Sequence, residues 1–272
     1  MQGEKVAIAI LNRNTPELAD ELVEQLSTLN LDTFVLENGS DADKYSKYAN
    51  LTVEESNGVS WGVNYLLEHC LNAEYDYVWL NYNDARFEKP REFLEWSISA
   101  IKEDPSIGVV TGYWPNVWDM VGRKNSGNPV VSFFDPLSFI ISRRALEVTK
   151  GTGTQFTPFW DSSNYAGHYN ILGPAVALYR AGMKMIVNYD FPMTEKNIFV
   201  NEVQEVKDEK SRIARGFSNE EWIHEFGPKV AHEWLNGFFP ELAEKDISAK
   251  KKRDIVISHI GHIYHNYSDE EK

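Results

Sequence analysis

With 272 residues, 42% of them hydrophobic, the chain is long enough to bury one sizeable core, either as one large domain or as a domain with an appendage. Its formal net charge of −14 argues against general nucleic-acid binding through a basic surface, although an anionic nucleotide can still be held where backbone amides and a metal ion supply local positive field. No run of about 18 apolar residues offers a membrane span, Met1-Gln-Gly-Glu-Lys-Val6 lacks a basic region leading into an apolar segment, and the single cysteine, Cys70, excludes an internal disulfide. The expected location is the cytoplasm.

Val6 to Leu11 reads as a short apolar strand. Thr15-Pro16 then caps and opens a helix, with proline at the first helical position and Leu18, Leu22, Leu26 and Leu29 at helical spacing. Thr33 to Leu36 is a second strand that ends in Glu37-Asn-Gly-Ser-Asp41, a turn by composition. Leu51 to Val53 is a weaker third strand. A second helix carries Val59, Val63, Leu66, Leu67, Cys70 and Leu71 on one side, so Cys70 reads as core. Tyr75 to Leu80 is the fourth strand, Pro90 to Lys102 the third helix, and Ile107 to Thr111 the fifth strand. This alternation predicts an α/β fold with a mostly parallel sheet and helices on both faces.

From Gly112 to Val131 the pattern loosens into a long loop or a β excursion rich in Trp, Asn, Gly and Pro. Ser132 to Ser142 is strand-like and Arg143 begins a short helix. Leu172 to Ala181 reads as a helix and Met183 to Tyr189 as the last strand. Beyond about Asn201 the periodicity is helical only, with Val256, Ile260, Ile263, Tyr264 and Tyr267 on one stripe, so a helical C-terminal extension is expected at 201–272 after a first domain at 1–200.

The most informative segment is Tyr77-Val-Trp-Leu-Asn-Tyr-Asn-Asp-Ala-Arg-Phe87, where an apolar run ends abruptly in a polar cluster closed by Asp84. Carboxyl ends of strands are where open α/β sheets bind ligands. A carboxylate with neighbouring oxygen donors at such an edge suits a hard cation such as Mg²⁺ or Mn²⁺ and, with it, a phosphate. The alternative is a strand followed by an ordinary Asn- and Asp-rich turn.

Four motifs in order resemble a family 2-type glycosyltransferase of the GT-A fold. Ile8-Ala-Ile-Leu-Asn-Arg-Asn14 followed by Thr-Pro-Glu-Leu resembles the family's opening strand and Thr-Tyr-Asn-type turn. Val35-Leu-Glu-Asn-Gly-Ser-Asp41 resembles Val-Asp-Asn-Gly-Ser-x-Asp, and Asn57-Gly-Val-Ser-Trp-Gly-Val-Asn64 resembles Asn-x-Gly-x-x-x-Gly-x-Asn. Leu80-Asn-Tyr-Asn-Asp-Ala-Arg-Phe87, with Pro90 after it, resembles the metal-binding D-x-D region in an Asn-Asn-Asp-Thr form. The likeness weakens towards Gly182 and does not reach the C-terminal helices.

The resemblance implies a mixed, mostly parallel nucleotide-diphospho-sugar transferase sheet flanked by helices. It also implies a UDP or dTDP sugar as donor, a saccharide or other hydroxyl as acceptor, and a Mn²⁺ or Mg²⁺ cofactor. By position, Asn12, Arg13 and Asn14 would line the base and ribose, with Glu37 hydrogen-bonding the base and Ser40 close by. Asn57, Trp61 and Asn64 would border the ribose and diphosphate, and Asp84 would hold the metal, assisted by Asn83 or Asn81.

One departure is equally specific. The family's catalytic acidic pair precedes a helix ending in Ala-Gly, recognisable as Val176-Ala-Leu-Tyr-Arg-Ala-Gly182, and follows a landmark matched by Phe159-Trp-Asp161; the counting puts Asn170 and Ile171 where the pair belongs. The substitutes for a general base are Asp161, Asp135 and His168. For the histidine that many relatives supply to the metal after the last strand, Asn188 and Glu195 are the nearest polar groups. The departure keeps a second reading open, a non-catalytic nucleotide-sugar or carbohydrate-binding protein on the same fold. A nucleotidyltransferase needs a Gly-rich basic loop after the first strand, and Asn12-Arg-Asn-Thr-Pro16 is not one. Trp114, Trp118 and Trp160 are candidate stacking surfaces for a sugar.

Overall fold

The computed structural model describes residues 3–56, 58–113, 130–131, 134, 136–150, 174–175, 177–178 and 181–196. All of them belong to one compact unit, Met1–Tyr113 with Ser126–Val200. The helical extension expected at 201–272 lies outside the described residues, as does most of the stretch from Gly112 to Val131.

The strands are β1 (Val6–Asn12), β2 (Asp32–Asn38), β3 (Leu51–Val53), β4 (Tyr77–Tyr82), β5 (Ala85–Phe87), β6 (Ile107–Tyr113), β7 (Val130–Val131), β8 (Ser138–Ser142) and β9 (Lys184–Glu195). The helices are α1 (Pro16–Leu26), α2 (Val59–Asn72), α3 (Pro90–Glu103) and α4 (Arg143–Thr149). The sheet runs β3-β2-β1-β4-β8-β6-β9-β5, with β7 also pairing β9. β1 to β4 are mutually parallel, β8 lies antiparallel between β4 and β6, and β9 runs parallel to β6. The sheet is mixed, as the resemblance implies, with parallel pairing from β3 through β4 and between β6 and β9.

β1 is buried at all seven positions, as a strand covered on both faces must be. α1 turns Leu18, Ala19, Leu22, Val23 and Leu26 inward, and α2 turns Val63, Leu66, Leu67, Cys70 and Leu71 inward. Burial pushes the Cys70 thiol up to about 12, so it packs as a small apolar group. Trp79 is wholly buried and meets Phe87 and Phe93 edge-on, at 4.9 and 5.5 Å between ring centroids. Its indole N–H donates to Ser138 Oγ at 2.9 Å, and that hydroxyl donates to Asn81 Oδ1 at 2.7 Å.

Three local expectations change. Glu37 and Asn38 continue β2 rather than forming a turn, because they pair with Thr52 and Val53 of β3. β4 likewise runs on through Asn81 and Tyr82, so Asn81 is a core residue satisfied by Ser138 and by Trp79 O, and not an edge ligand. The last strand is longer than its apolar run: β9 passes a register irregularity beside Gly112 and Tyr113, then pairs with β5 through Ala85↔Glu195 and Phe87↔Met193. The chain turns after β2 at Gly39, whose φ is +69°. A Cβ there would stand 2.2 Å from Ser56 N, so both conformation and space demand glycine.

Gly39→Ala should cost about 3 kcal/mol, from a left-handed backbone combined with a clash against main chain, read as a lowered denaturation midpoint. A second test concerns Asp104, whose carboxyl the Lys184 ammonium and then the Ser106 hydroxyl and amide hold at about 2, tying the start of β6 to β9. A depressed carboxyl contributes stability above its unfolded value, near 3.9, that is lost as pH falls through the folded one. Asp104→Asn should therefore lower the thermal midpoint at neutral pH, and the gap should close between about pH 4 and pH 2; a pH-independent gap would mean that the ion pair is not its source.

Candidate functional site

Parallel pairing brings three strand exits to one edge of the sheet. Asn12 at the end of β1 lies opposite Glu37 near the end of β2, and Leu11 lies opposite Tyr82 at the end of β4. At this edge the side chains bond to one another. The Glu37 carboxylate is wholly buried and accepts four hydrogen bonds: Asn12 Nδ2 at 3.0 Å from each oxygen, Ser40 Oγ at 2.6 Å and Ser46 N at 2.8 Å. A charge can be buried there because polar donors surround it.

Asn12 passes the network on. Its Oδ1 accepts from Thr15 Oγ1 at 3.1 Å and from Asn83 Nδ2 at 2.5 Å, and Asn83 Nδ2 also donates to Thr15 Oγ1 at 2.6 Å. Thr15 was expected to cap α1, but its hydroxyl makes no cap bond and turns back to Asn12 and Arg13 O instead. Asn14 has φ +57° and bridges to the second exit: its N–H donates to Ser40 Oγ at 3.0 Å, and its Oδ1 accepts from Asp41 N at 2.7 Å. The first three motifs also meet at α2. Asn38 Nδ2 donates to Gly58 O at 3.1 Å, and a Cβ on Gly62 would stand 2.5 Å from Leu11 Cδ1.

The sequence-predicted residues therefore divide by exposure. Asn12, Glu37, Ser40 and Asn64 are buried, and Asn64 donates to Ser60 O one turn back in α2. Arg13, Asn14, Trp61, Asn83 and Asp84 are half-buried at the edge, with Trp61 stacked on Tyr65 at 5.5 Å. Direct contact between Glu37 and a base has no open face in this geometry, since the carboxylate's own donors enclose it. Asn57, Asp135, Asp161 and His168 lie outside the described residues, as do Asn170, Ile171, Trp114, Trp118 and Trp160.

Asp84 sits in the two-residue turn between β4 and β5. β9 returns to it: Glu195 pairs with Ala85, and Lys196 N donates to Asp84 O at 2.8 Å. Asn188, the other polar group considered after the last strand, is buried and accepts from Asp190 N at 2.9 Å. Behind the turn, Arg86 bonds Glu21 at 2.9 Å, and Lys196 Nζ lies 2.7 and 2.5 Å from the two Glu21 oxygens. The Lys196 ammonium, and after it the Arg86 guanidinium, hold the Glu21 carboxyl below the usual carboxylate range. The motif reading missed Thr15, Ser46, Arg86, Glu21 and Lys196. Arg86 stands in a three-residue strand too short to carry a period, and nothing in the sequence links positions 21 and 196.

Among the described residues no group of three or more His, Cys, Asp or Glu side chains could hold an ion alone. A single carboxylate is nonetheless what Mg²⁺-type sites use when phosphate oxygens and water complete the shell. Asp84 at this edge fits a cation that arrives with a diphosphate better than a resident one.

No protein-family profile matches the chain, and no curated protein does. Solved structures do. GalNAc-T7, crystallised with UDP, GalNAc and Mn²⁺, superposes with a TM-score of 0.53 at 10% identity over 97% of this chain, which spans 58% of the GalNAc-T7 chain. Glucosyl-3-phosphoglycerate synthase from Mycobacterium tuberculosis, in complex with Mn²⁺, UDP-glucose and phosphoglyceric acid, gives 0.48 at 14% identity over 79% of each chain. Among the described residues no helix is long and apolar enough to cross a membrane. The sheet order and the GalNAc-T7 superposition together give the architecture: this chain has the GT-A glycosyltransferase fold.

Proposed function

We propose that the chain is a glycosyltransferase that moves a sugar, with inversion, from a UDP- or dTDP-type donor to a hydroxyl acceptor, with Mn²⁺ or Mg²⁺ anchored at Asp84. The observation that carries this reading is the convergence of the β1, β2 and β4 exits into one hydrogen-bonded edge, with Asp84 in the turn immediately beyond. The fold supports it, as does the company that GalNAc-T7 keeps in its crystal, UDP and Mn²⁺.

Roles follow from exposure. Arg13, Asn14 and Trp61, half-buried at the edge, meet the nucleoside, and Asn83 and Asp84 meet the diphosphate and its cation. Glu37 and Ser40 hold Asn12 and Asn14 in place from inside rather than touching the base. A cation held at Asp84 would supply positive charge against the charge that grows on the leaving diphosphate as the anomeric carbon exchanges its bond to the diphosphate oxygen for one to the acceptor oxygen. The acceptor hydroxyl gives its proton to a general base, for which Asp161, Asp135 and His168 remain the candidates. A second reading, a non-catalytic nucleotide-sugar or carbohydrate binder, draws on Asn170-Ile171 standing where the family's acidic pair belongs.

Calorimetric titration with UDP should give tighter binding with Mn²⁺ than without, and Asp84→Ala should remove about 30-fold of the affinity in Mn²⁺, some 2 kcal/mol, while leaving metal-free binding nearly unchanged. Equal affinities for the variant and the unaltered protein in Mn²⁺ contradict the assignment. Glu37→Ala leaves the Asn12 amide, the Ser40 hydroxyl and the Ser46 N–H without their acceptor, and should destabilise the fold by about 3 kcal/mol in denaturant titration, with Glu37→Gln in between. Release of free nucleoside diphosphate from a donor panel separates enzyme from binder. For the enzyme, at least one of Asp161→Asn, Asp135→Asn and His168→Ala should lower turnover about 100-fold or more. Full turnover in all three removes these residues as bases, and tight UDP binding with no release favours the second reading.

A further inference from the structure

Arg86 has no place in the nucleotide reading, yet it is one of the most heavily used side chains at the edge. One arm of its guanidinium donates to Asn83 O at 2.9 Å and to Ala85 O at 2.8 Å. The other arm donates to Leu18 O on α1 at 3.2 Å and to Glu21 Oε2 at 2.9 Å. The carbonyl between those two, Asp84 O, is taken by Lys196 N from the end of β9. Three consecutive carbonyls, 83 to 85, are thus each held by a donor. Glu21 holds the two residues that supply those donors, Arg86 through its guanidinium and Lys196 through its ammonium. The Arg86 side chain is only 16% exposed, so these bonds compete little with water.

We propose that Arg86 is a positioning residue for cation binding, a clamp that locks the Asn83-Asp84-Ala85 turn so that the Asp84 carboxylate and the Asn83 amide are pre-set for a metal–diphosphate pair. The inference rests on the reading of Asp84 as the cation's anchor. A turn whose carbonyls were not held would have to be ordered at the moment of binding, and that ordering subtracts from affinity. Carbonyls fixed beforehand remove the cost, as supporting residues around metal ligands generally do. The task suits arginine specifically. Its planar fork spans two carbonyls on one side and a carboxylate on the other, whereas a lysine ammonium is a single point on a flexible stem. Asn83 joins the turn to Asn12, so the clamp and the Glu37 network hold the same segment from opposite ends of the chain of bonds.

The test uses the full chain, UDP and Mn²⁺, with Arg86→Lys and Arg86→Gln compared with the unaltered protein by calorimetry and thermal melting. A purely structural role for Arg86 would lower the melting point or weaken UDP binding with and without metal alike. Positioning predicts that Arg86→Lys keeps metal-free UDP affinity to within about twofold but loses about 10-fold or more of the gain that Mn²⁺ confers. Arg86→Gln should lose at least as much. If Arg86→Gln does not fold, Arg86→Lys decides alone. A full Mn²⁺ gain in Arg86→Lys overturns the inference and leaves Asp84's role standing, and so does an equal loss with and without metal. Absence of any Mn²⁺ gain in the unaltered protein removes the Asp84 reading itself, and the clamp with it.

Discussion

A carboxylate sealed inside a sheet costs several kcal/mol of lost hydration unless donors replace the water. Glu37 is such a carboxylate, and what replaces its water is the geometry of the site. Asn12 spans both oxygens from the neighbouring strand, Ser40 closes from the turn that follows β2, and the Ser46 amide closes from the segment beyond. Asn12 is the last residue of β1, while Ser40 and Ser46 lie in the irregular chain beyond β2, so the buried carboxylate ties that loop to the end of the neighbouring strand. Removing the charge would free the loops, and moving a loop would strand the charge. That mutual dependence is why the edge has one arrangement.

The network extends by relay rather than by a cluster around one atom. Asn12 receives Thr15 and Asn83 on the oxygen left over after its nitrogen serves Glu37, and Asn83 carries the connection into the Asp84 turn. From the far side, β9 comes back to the same turn after passing beside β6, and closes it through Lys196 N. The half-buried residues of the edge are therefore backed by buried residues that bond to one another, and in the proposed function the buried groups set position for the half-buried ones. The antiparallel insertion of β8 between β4 and β6 adds the Trp79–Ser138–Asn81 chain beneath the edge, which anchors β4 just before its exit.

Much of this was legible in the residue pattern. The alternation of apolar strands with amphipathic helices yields the order β1–α1–β2–β3–α2–β4–α3–β6, and the polar residues that close β1, β2 and β4 fall at one edge of the sheet. What the pattern misjudged follows from physics that period and composition do not carry. Glu37, Asn38 and Asn81 look like turn residues because free Asn and Glu seek water; they become strand residues because Glu37 and Asn38 pair with β3, Asn12 and Ser138 bond the Glu37 and Asn81 side chains across the sheet, and Gly58 O at the head of α2 takes the Asn38 amide. Thr15 before Pro16 has the composition of a cap, but its oxygen accepts from Asn83 Nδ2 in place of a helix N–H, while its O–H faces Asn12 Oδ1 and Arg13 O. β5 is three residues long, and the second half of β9 is defined by its pairing, not by its own alternation. The Glu21–Arg86–Lys196 cluster joins positions that no local window contains.

In the proposed function the exits of β1, β2 and β4 cradle a diphosphate through a cation held on Asp84. The most direct measurement is a crystal structure of the full chain grown with UDP and Mn²⁺. It should show a cation about 2 Å from an Asp84 carboxylate oxygen and from diphosphate oxygens, with the nucleoside lying against Arg13 and Asn14 and with Glu37 still enclosed by Asn12, Ser40 and Ser46. Nucleotide bound at another edge of the sheet, or a cation coordinated without Asp84, would contradict it.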